Sequence, residues 1–276
     1  MEVTIESFDG VKLRAYRFSP AAAQGQLILS LPFATKPSFC ARAIAALADQ
    51  FDIITWEARL IMEPQAALQD REALSIASHT KDVHVILNHF GIEQASLLGY
   101  CSGAATALHV AALDQRRFRK LVLVSGAYFM KPEECQHTQY ERDVLALAPH
   151  IAAGRAEAYS IFEQFFEGNR AFRKREHEFA GEIYRPYDSA ESFYRFGVCL
   201  DNFMRGESRR VAGEIAVPTL VTSGGLDDQP HPSSSALIAS QIARCETYLD
   251  EGGDHYELCR AKPDLIERVA SFLANA

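Results

Sequence analysis

The stretch Gly99-Tyr100-Cys101-Ser102-Gly103 leaves the chain few ways to fold around it. Before it, Ala95-Ser96-Leu97-Leu98 is a short apolar run that reads as a buried strand. After it, residues 104–113 are mostly small and apolar and read as a helix. The spacing Gly-x-nucleophile-x-Gly between a strand and a helix describes a sharp turn that presents one side chain at its tip. Here a cysteine stands where serine is usual. The two glycines permit a strained turn and let the helix pack close to neighbouring strands. A thiol at such a tip implies covalent acyl chemistry through a thioester. The plain alternative, a small buried apolar side chain, is the common fate of a free cysteine. The strand–turn–helix context favours the first reading.

The rest of the chain alternates. Residues 5–16 read as a hairpin turning at Asp9-Gly10. Strands are predicted over 26–31, 51–56, 120–125, 218–223 and 247–249, and helices over 38–50, 75–90 and 263–273. This alternation predicts an α/β fold, a mostly parallel sheet covered by helices on both faces. Between residues 128 and 213 the strand rhythm stops, and helical segments carry Tyr159, Phe162, Phe165 and Phe166. The spacing predicts a helical lid over 128–213 inserted into a core made of 1–127 and 214–276. Most lid aromatics read as packing residues, and a few as the lining of a pocket over Cys101.

A cysteine nucleophile needs a base, and the base needs an orienting acid. His255 follows the last predicted strand in Gly252-Gly253-Asp254-His255, and Asp227 follows the preceding strand in Gly224-Gly225-Leu226-Asp227-Asp228. Nucleophile, acid and base thus come in one order, each at a strand's C-terminal end, where ligands gather in open α/β sheets. Cys101, Asp227 and His255 are the candidate catalytic set. Asp227, three residues past Gly224, is preferred to Asp228. His84 and His109 lie inside helical patterns and read as structural. Two backbone N–H groups should face the acyl oxygen as it gains charge. One is the Ser102 amide. The other belongs to the loop Leu31-Pro32-Phe33-Ala34, where Pro32 has no N–H, so Phe33 or Ala34 must supply it.

The formal net charge of -8 weighs against nucleic acid as a partner. No apolar run approaches the ~18 residues that cross a bilayer. The six cysteines form no C-x-x-C pair and no Cys/His metal spacing, and no phosphate-binding loop is present, so neither metal nor cofactor is expected. Scattered thiols without a leader peptide point to the reducing cytoplasm.

Together the elbow, the 224–227 turn and the 253–255 turn resemble the α/β-hydrolase superfamily across nearly the full chain. The loop at Pro32 departs from the family's His-Gly. Cysteine at the elbow occurs there in dienelactone hydrolases, polyhydroxyalkanoate synthases and the aminoacyl transferases of nonribosomal peptide pathways. The chain is short for a synthase and its insertion large for a dienelactone hydrolase. Thr55-Trp56-Glu57-Ala58-Arg59 is similar to a Trp-Glu-x-Arg stretch of the transferases. That resemblance implies an enzyme that moves an aminoacyl group between the phosphopantetheine arms of carrier proteins, through a thioester on Cys101. Hydrolysis of a thioester, ester or lactone by the same residues is the alternative. Arg170, Arg173, Lys174 and Arg175, with Arg205, Arg209 and Arg210, form basic clusters suited to an acidic carrier or its phosphate. The plain reading of such clusters is a solvated helical face.

Overall fold

Asp9-Gly10 turns the chain as predicted. In the computed structural model, which describes residues 1–63, 66–68, 70–167 and 177–274, strands β1 (Glu2–Glu6) and β2 (Lys12–Phe18) pair antiparallel with Ile5 opposite Leu13. Gly10 takes φ +83°, open to glycine at little cost. The further strands are β3 (Gln26–Ser30), β4 (Asp52–Trp56), β5 (Ala95–Tyr100), β6 (Phe118–Val124), β7 (Thr219–Gly224) and β8 (Cys245–Asp250). They form one sheet in the order β1-β2-β4-β3-β5-β6-β7-β8. β2 runs antiparallel to β4, and every pairing from β4 to β8 is parallel.

β5 sits between β3 and β6, with Leu98 opposite Leu29 on one side and Val122 on the other. Its alternate side chains enter two cores. Leu98 and Tyr100 pack with Leu27, Leu29 and Val122 beneath helix α1 (Ala41–Ala48) and the C-terminal helix Pro263–Ala274. Leu97 packs with Ile28, Leu121 and Leu123 beneath α2 (Ile76–His89) and α3 (Ser102–Leu113). Burial on both faces explains why these strands read as unbroken apolar runs.

The helix predicted over 38–50 is split. A 3-10 turn, Pro37–Cys40, precedes α1, and its Phe39 N–H reaches the Lys36 carbonyl at 3.0 Å. Phe39 and Cys40 of that tighter turn are buried, and the Phe39 ring stacks on Tyr100 of β5 with centroids 5.9 Å apart. The elbow helix begins at Ser102, two residues before the sequence suggests, because the turn at Cys101 is completed within one residue.

Between β6 and β7 lie α4 (Gln139–Ala153), α5 (Arg155–Phe162), a π-turn at Glu163–Glu167, α6 (Ala180–Ile183), α7 (Ala190–Met204) and α8 (Ser208–Ala212). Thr138 and Glu141 close a capping box at the start of α4. Arg195 of α7, 2% exposed, donates to the carbonyls of Leu60, Glu63 and Ala66 and so ties the insertion to the loop after β4. Glu191 accepts from Arg155, Tyr159 and Arg195. Burial works against its charge, but these donors outweigh it and hold the carboxyl at about 2. The short α8 packs on α3 and α9 (Pro232–Gln241) and so belongs with the core. Among the described residues no helix is long and apolar enough to cross a membrane.

Candidate active site

Cys101 occupies the tip of the turn between β5 and α3 with φ 54° and ψ -125°. Such a backbone costs roughly 1–3 kcal/mol and persists only where its surroundings impose it. Three hydrogen bonds do so. The Cys101 N–H donates to Val124 at 3.0 Å, and its carbonyl accepts from Ala104 at 2.9 Å and Ala127 at 3.0 Å. Gly103 completes the constraint, since a Cβ there would stand 2.2 Å from the Ser30 carbonyl oxygen.

The turns that carry Asp227 and His255 abut in the same way. A Cβ on Gly224 would meet the Gly253 carbonyl oxygen at 2.4 Å, and the Leu226 N–H donates to that oxygen at 2.8 Å. This contact brings Asp227 Oδ2 to 2.9 Å from His255 Nδ1, with both side chains nearly fully buried. The other Asp227 oxygen accepts from the Gln229 N–H at 2.9 Å. Asp228 instead lines a cavity. With Nδ1 committed to Asp227, Nε2 is left for the Cys101 thiol, which interacts with the same ring. Burial opposes a charge on that ring. The Asp227 carboxylate, and after it the Cys101 sulfur, outweigh burial and raise the His255 pKa well above the ordinary histidine value.

Tyr100, which the sequence alone did not single out, braces His255. Its hydroxyl donates to the His255 carbonyl at 2.9 Å, and its ring stacks on the imidazole with centroids 5.3 Å apart. Behind it Cys259 Sγ lies 3.5 Å from the Tyr100 hydroxyl and 3.7 Å from Cys40 Sγ. Asp254 steadies the turn by accepting from the Tyr256 N–H at 2.9 Å and from Arg260 at 2.7 Å.

Ser102 opens α3, so its amide directly follows Cys101. The Phe33 N–H donates to the Ser102 hydroxyl oxygen at 2.9 Å. Ala34 adopts φ 63°, and its carbonyl accepts from Arg185 at 3.0 Å.

A cavity of about 1060 Å³ lies between insertion and core. Tyr140, Ile151 and Phe193 line it from the lid side, and Asp228, Gln229 and Tyr256 from the loops that carry Asp227 and His255. Of the aromatics noted in the sequence, Phe166 lines this cavity and Phe162 packs behind it. Phe165 is exposed, and Tyr159 is bonded to Glu191.

The Trp-Glu-x-Arg stretch divides. Trp56 is core. Glu57 accepts from Tyr16 at 2.7 Å and Arg14 at 3.1 Å. Arg59 is fully buried and donates to Asp9 at 2.6 Å, with Asp82 at 3.4 Å, so Glu57 and Arg59 are not a solvated pair with each other. Arg205 pairs with Asp201, Arg209 with Glu134, and Arg210 with Glu207 and Glu214. That cluster is therefore internally neutralised. Arg170, Arg173, Lys174 and Arg175 lie outside the described residues. His84 Nδ1 lies 3.0 Å from the Thr80 carbonyl within its own helix, and burial pushes His109 down to about 4.

Solved structures share the architecture. An enol-lactonase from Burkholderia xenovorans LB400 superposes with a TM-score of 0.73 at 19% identity, covering 99% of this chain and 100% of that one. A haloalkane dehalogenase from Bradyrhizobium elkani gives 0.74 at 17% identity, covering 99% and 97%. These likenesses establish the fold alone. An L-allo-isoleucyltransferase from Pseudomonas savastanoi pv. glycinea is 26% identical over 255 residues, 92% of this chain and 88% of that protein. The family model of the alpha/beta hydrolase fold matches residues 35–257, a span that takes in the elbow and both turns behind it, and the chain belongs to that family.

Proposed function

We propose that this protein is an aminoacyl transferase that carries its cargo as a thioester on Cys101, between the phosphopantetheine thiols of two carrier proteins. One observation carries the reading: a cysteine, not a serine, at the tip of the elbow beside the His255–Asp227 pair. Similarity to an L-allo-isoleucyltransferase supports an aminoacyl cargo.

The chemistry follows from the residues. Cys101 sulfur attacks the thioester carbonyl while His255 Nε2 takes the thiol proton. Charge on the carbonyl oxygen is met by the Ser102 amide and by an N–H of the loop after β3. Collapse breaks the bond to the pantetheine sulfur, which leaves with the proton from His255. A second pantetheine thiol reverses the sequence. Each half exchanges one thioester for another, so the relay runs near thermoneutrality. A serine ester would lie lower and pass its acyl group on less readily.

The test is intact-protein mass spectrometry after mixing with a carrier loaded with candidate aminoacyl thioesters, beside Cys101→Ala. An acyl mass gain that is absent from the variant, and that discharges to a second unloaded carrier, is expected. Free amino acid with no lasting adduct would make the protein a thioesterase. No reaction with any loaded carrier would overturn the carrier-to-carrier reading.

A further inference from the structure

The loop that follows β3 is gripped from the lid. Glu182 of α6 accepts from the Lys36 N–H at 3.2 Å and from the Ser38 hydroxyl at 2.6 Å. Arg185 Nη1 donates to the Ala34 carbonyl at 3.0 Å, and its guanidinium lies 3.5 Å from Glu182 and 3.8 Å from Glu57. Glu57 is itself fixed by Arg14 and Tyr16 of β2. Arg185 is therefore held from both sides, and its side chain is only 13% exposed.

The recipient of this grip is strained. Ala34 has φ 63°, the left-handed region that disfavours a residue with a Cβ. Alanine stands where a glycine would relieve such a bend, so contacts must hold it. The Thr35 N–H and hydroxyl do so from within, on the Pro32 carbonyl at 3.2 and 2.8 Å, and Arg185 does so from the lid. The same lid segment faces the cavity through Ile183, Tyr184 and Tyr187. One short stretch thus touches both the space for an acyl group and the backbone that would receive its oxyanion.

We propose that Arg185 is a positioning residue for acyl transfer: seated from the lid on the Ala34 carbonyl, it fixes the Phe33–Ala34 backbone so that one of its N–H groups meets the oxyanion at Cys101. The inference rests on the reading of Cys101 as an acyl carrier. It couples the lid to the chemistry, because a lid segment that lifts takes the clamp with it and leaves Ala34 free to relax. The clamp acts on acylation alone. Alkylation of Cys101 by iodoacetamide is a displacement at a saturated carbon and builds no oxyanion, so it needs Cys101 and His255 but not the loop.

That difference supplies the experiment. Two rates are measured on Arg185→Met, Arg185→Lys and wild type: acylation of Cys101 by the L-isoleucyl thioester of N-acetylcysteamine, and its alkylation by iodoacetamide. Removing an oxyanion donor costs on the order of 100-fold or more, so a misplaced one in Arg185→Met should slow acylation by about 10- to 100-fold at saturating thioester. Alkylation should hold its wild-type rate, and Arg185→Lys, which keeps a donor, should recover part of the loss. Acylation unchanged, or both rates falling together, would overturn the proposal. If Arg185→Met does not fold, the same split is expected in Glu182→Gln, which loosens Lys36 and Ser38. Wild-type enzyme that is alkylated at Cys101 but takes an acyl group neither from this thioester nor from any loaded carrier would refute the acyl-carrier reading itself. That failure shows before any variant is made, and the clamp proposal falls with it.

Discussion

The Phe33 N–H donates to the Ser102 hydroxyl oxygen at 2.9 Å, across the gap between the loop after β3 and the first turn of α3. On the reading proposed above, the hydroxyl thus occupies a donor that the acyl oxygen would otherwise use. Ser102→Ala leaves a buried N–H without an acceptor, which costs about 1–3 kcal/mol. Urea denaturation should show that loss, while acylation of Cys101 proceeds no slower than in wild type because a donor has been uncovered. A tenfold slower acylation would instead assign the hydroxyl itself to the oxyanion.

Tyr100→Phe keeps the ring stacked on His255 and removes the donor to its carbonyl. The His255 backbone should lose a hold of about 1 kcal/mol, the typical net worth of such a bond. Alkylation of Cys101, which on the reading proposed above needs His255 to take the thiol proton, should slow by about 5-fold, 1.36 kcal/mol being tenfold. An unchanged rate would reduce Tyr100 to a packing residue.

His79 is buried between Phe33 and Phe203, and burial, with Arg59 adding to it, pushes its pKa down to about 3. The unfolded chain takes up that proton near pH 6.5, while the folded chain resists until about 3. Below pH 6.5 the unfolded state binds more protons, so stability falls as pH drops, by up to about 1.4 kcal/mol per unit for one such group. His255 acts in the opposite window, since its raised pKa stabilises the fold fully below pH 6.5 and progressively less as pH rises through the folded value. His79→Phe should flatten the stability profile between pH 4 and 6 relative to wild type, measured by urea midpoints. Parallel profiles would show that His79 does not resist protonation.

Arg59→Met removes the cation that faces both Asp9 and the fully buried Asp82, leaving Asp82 with the Ser7 hydroxyl. Breaking a buried pair in this way costs about 3–5 kcal/mol. Thermal or urea unfolding should show a loss of that order, with Cys101 alkylation in the remaining folded protein unchanged. Slower alkylation without loss of stability would place Arg59 in the chemistry rather than in the scaffold.

Much of this was legible in the sequence, for local reasons. The elbow announces itself because strand, glycines and helix lie within twenty residues, and Asp227 and His255 sit in turns whose glycines mark their strand ends. Other parts carry no such signal. No element is predicted over Pro232–Gln241, which holds four serines, yet it forms α9 with proline in its first turn and a His231 side chain accepting from the Ser233 N–H at 3.2 Å. Tyr100 was visible only as the variable position of a motif. Arg185 was one arginine among many, since its target is a backbone carbonyl 151 residues away that no side-chain pattern advertises.

The bend at Cys101 is set by backbone contacts to Val124, Ala104 and Ala127 and by the bare Cα of Gly103, none of which involves the sulfur. The fold therefore specifies an address and leaves the occupant open. Exchanging sulfur for oxygen there alters the energy of the bound acyl group without asking the architecture to change. On the reading proposed above, the choice between ester and thioester chemistry rests on one side chain, and the demands of chemistry at that position are nearly separate from the demands of folding.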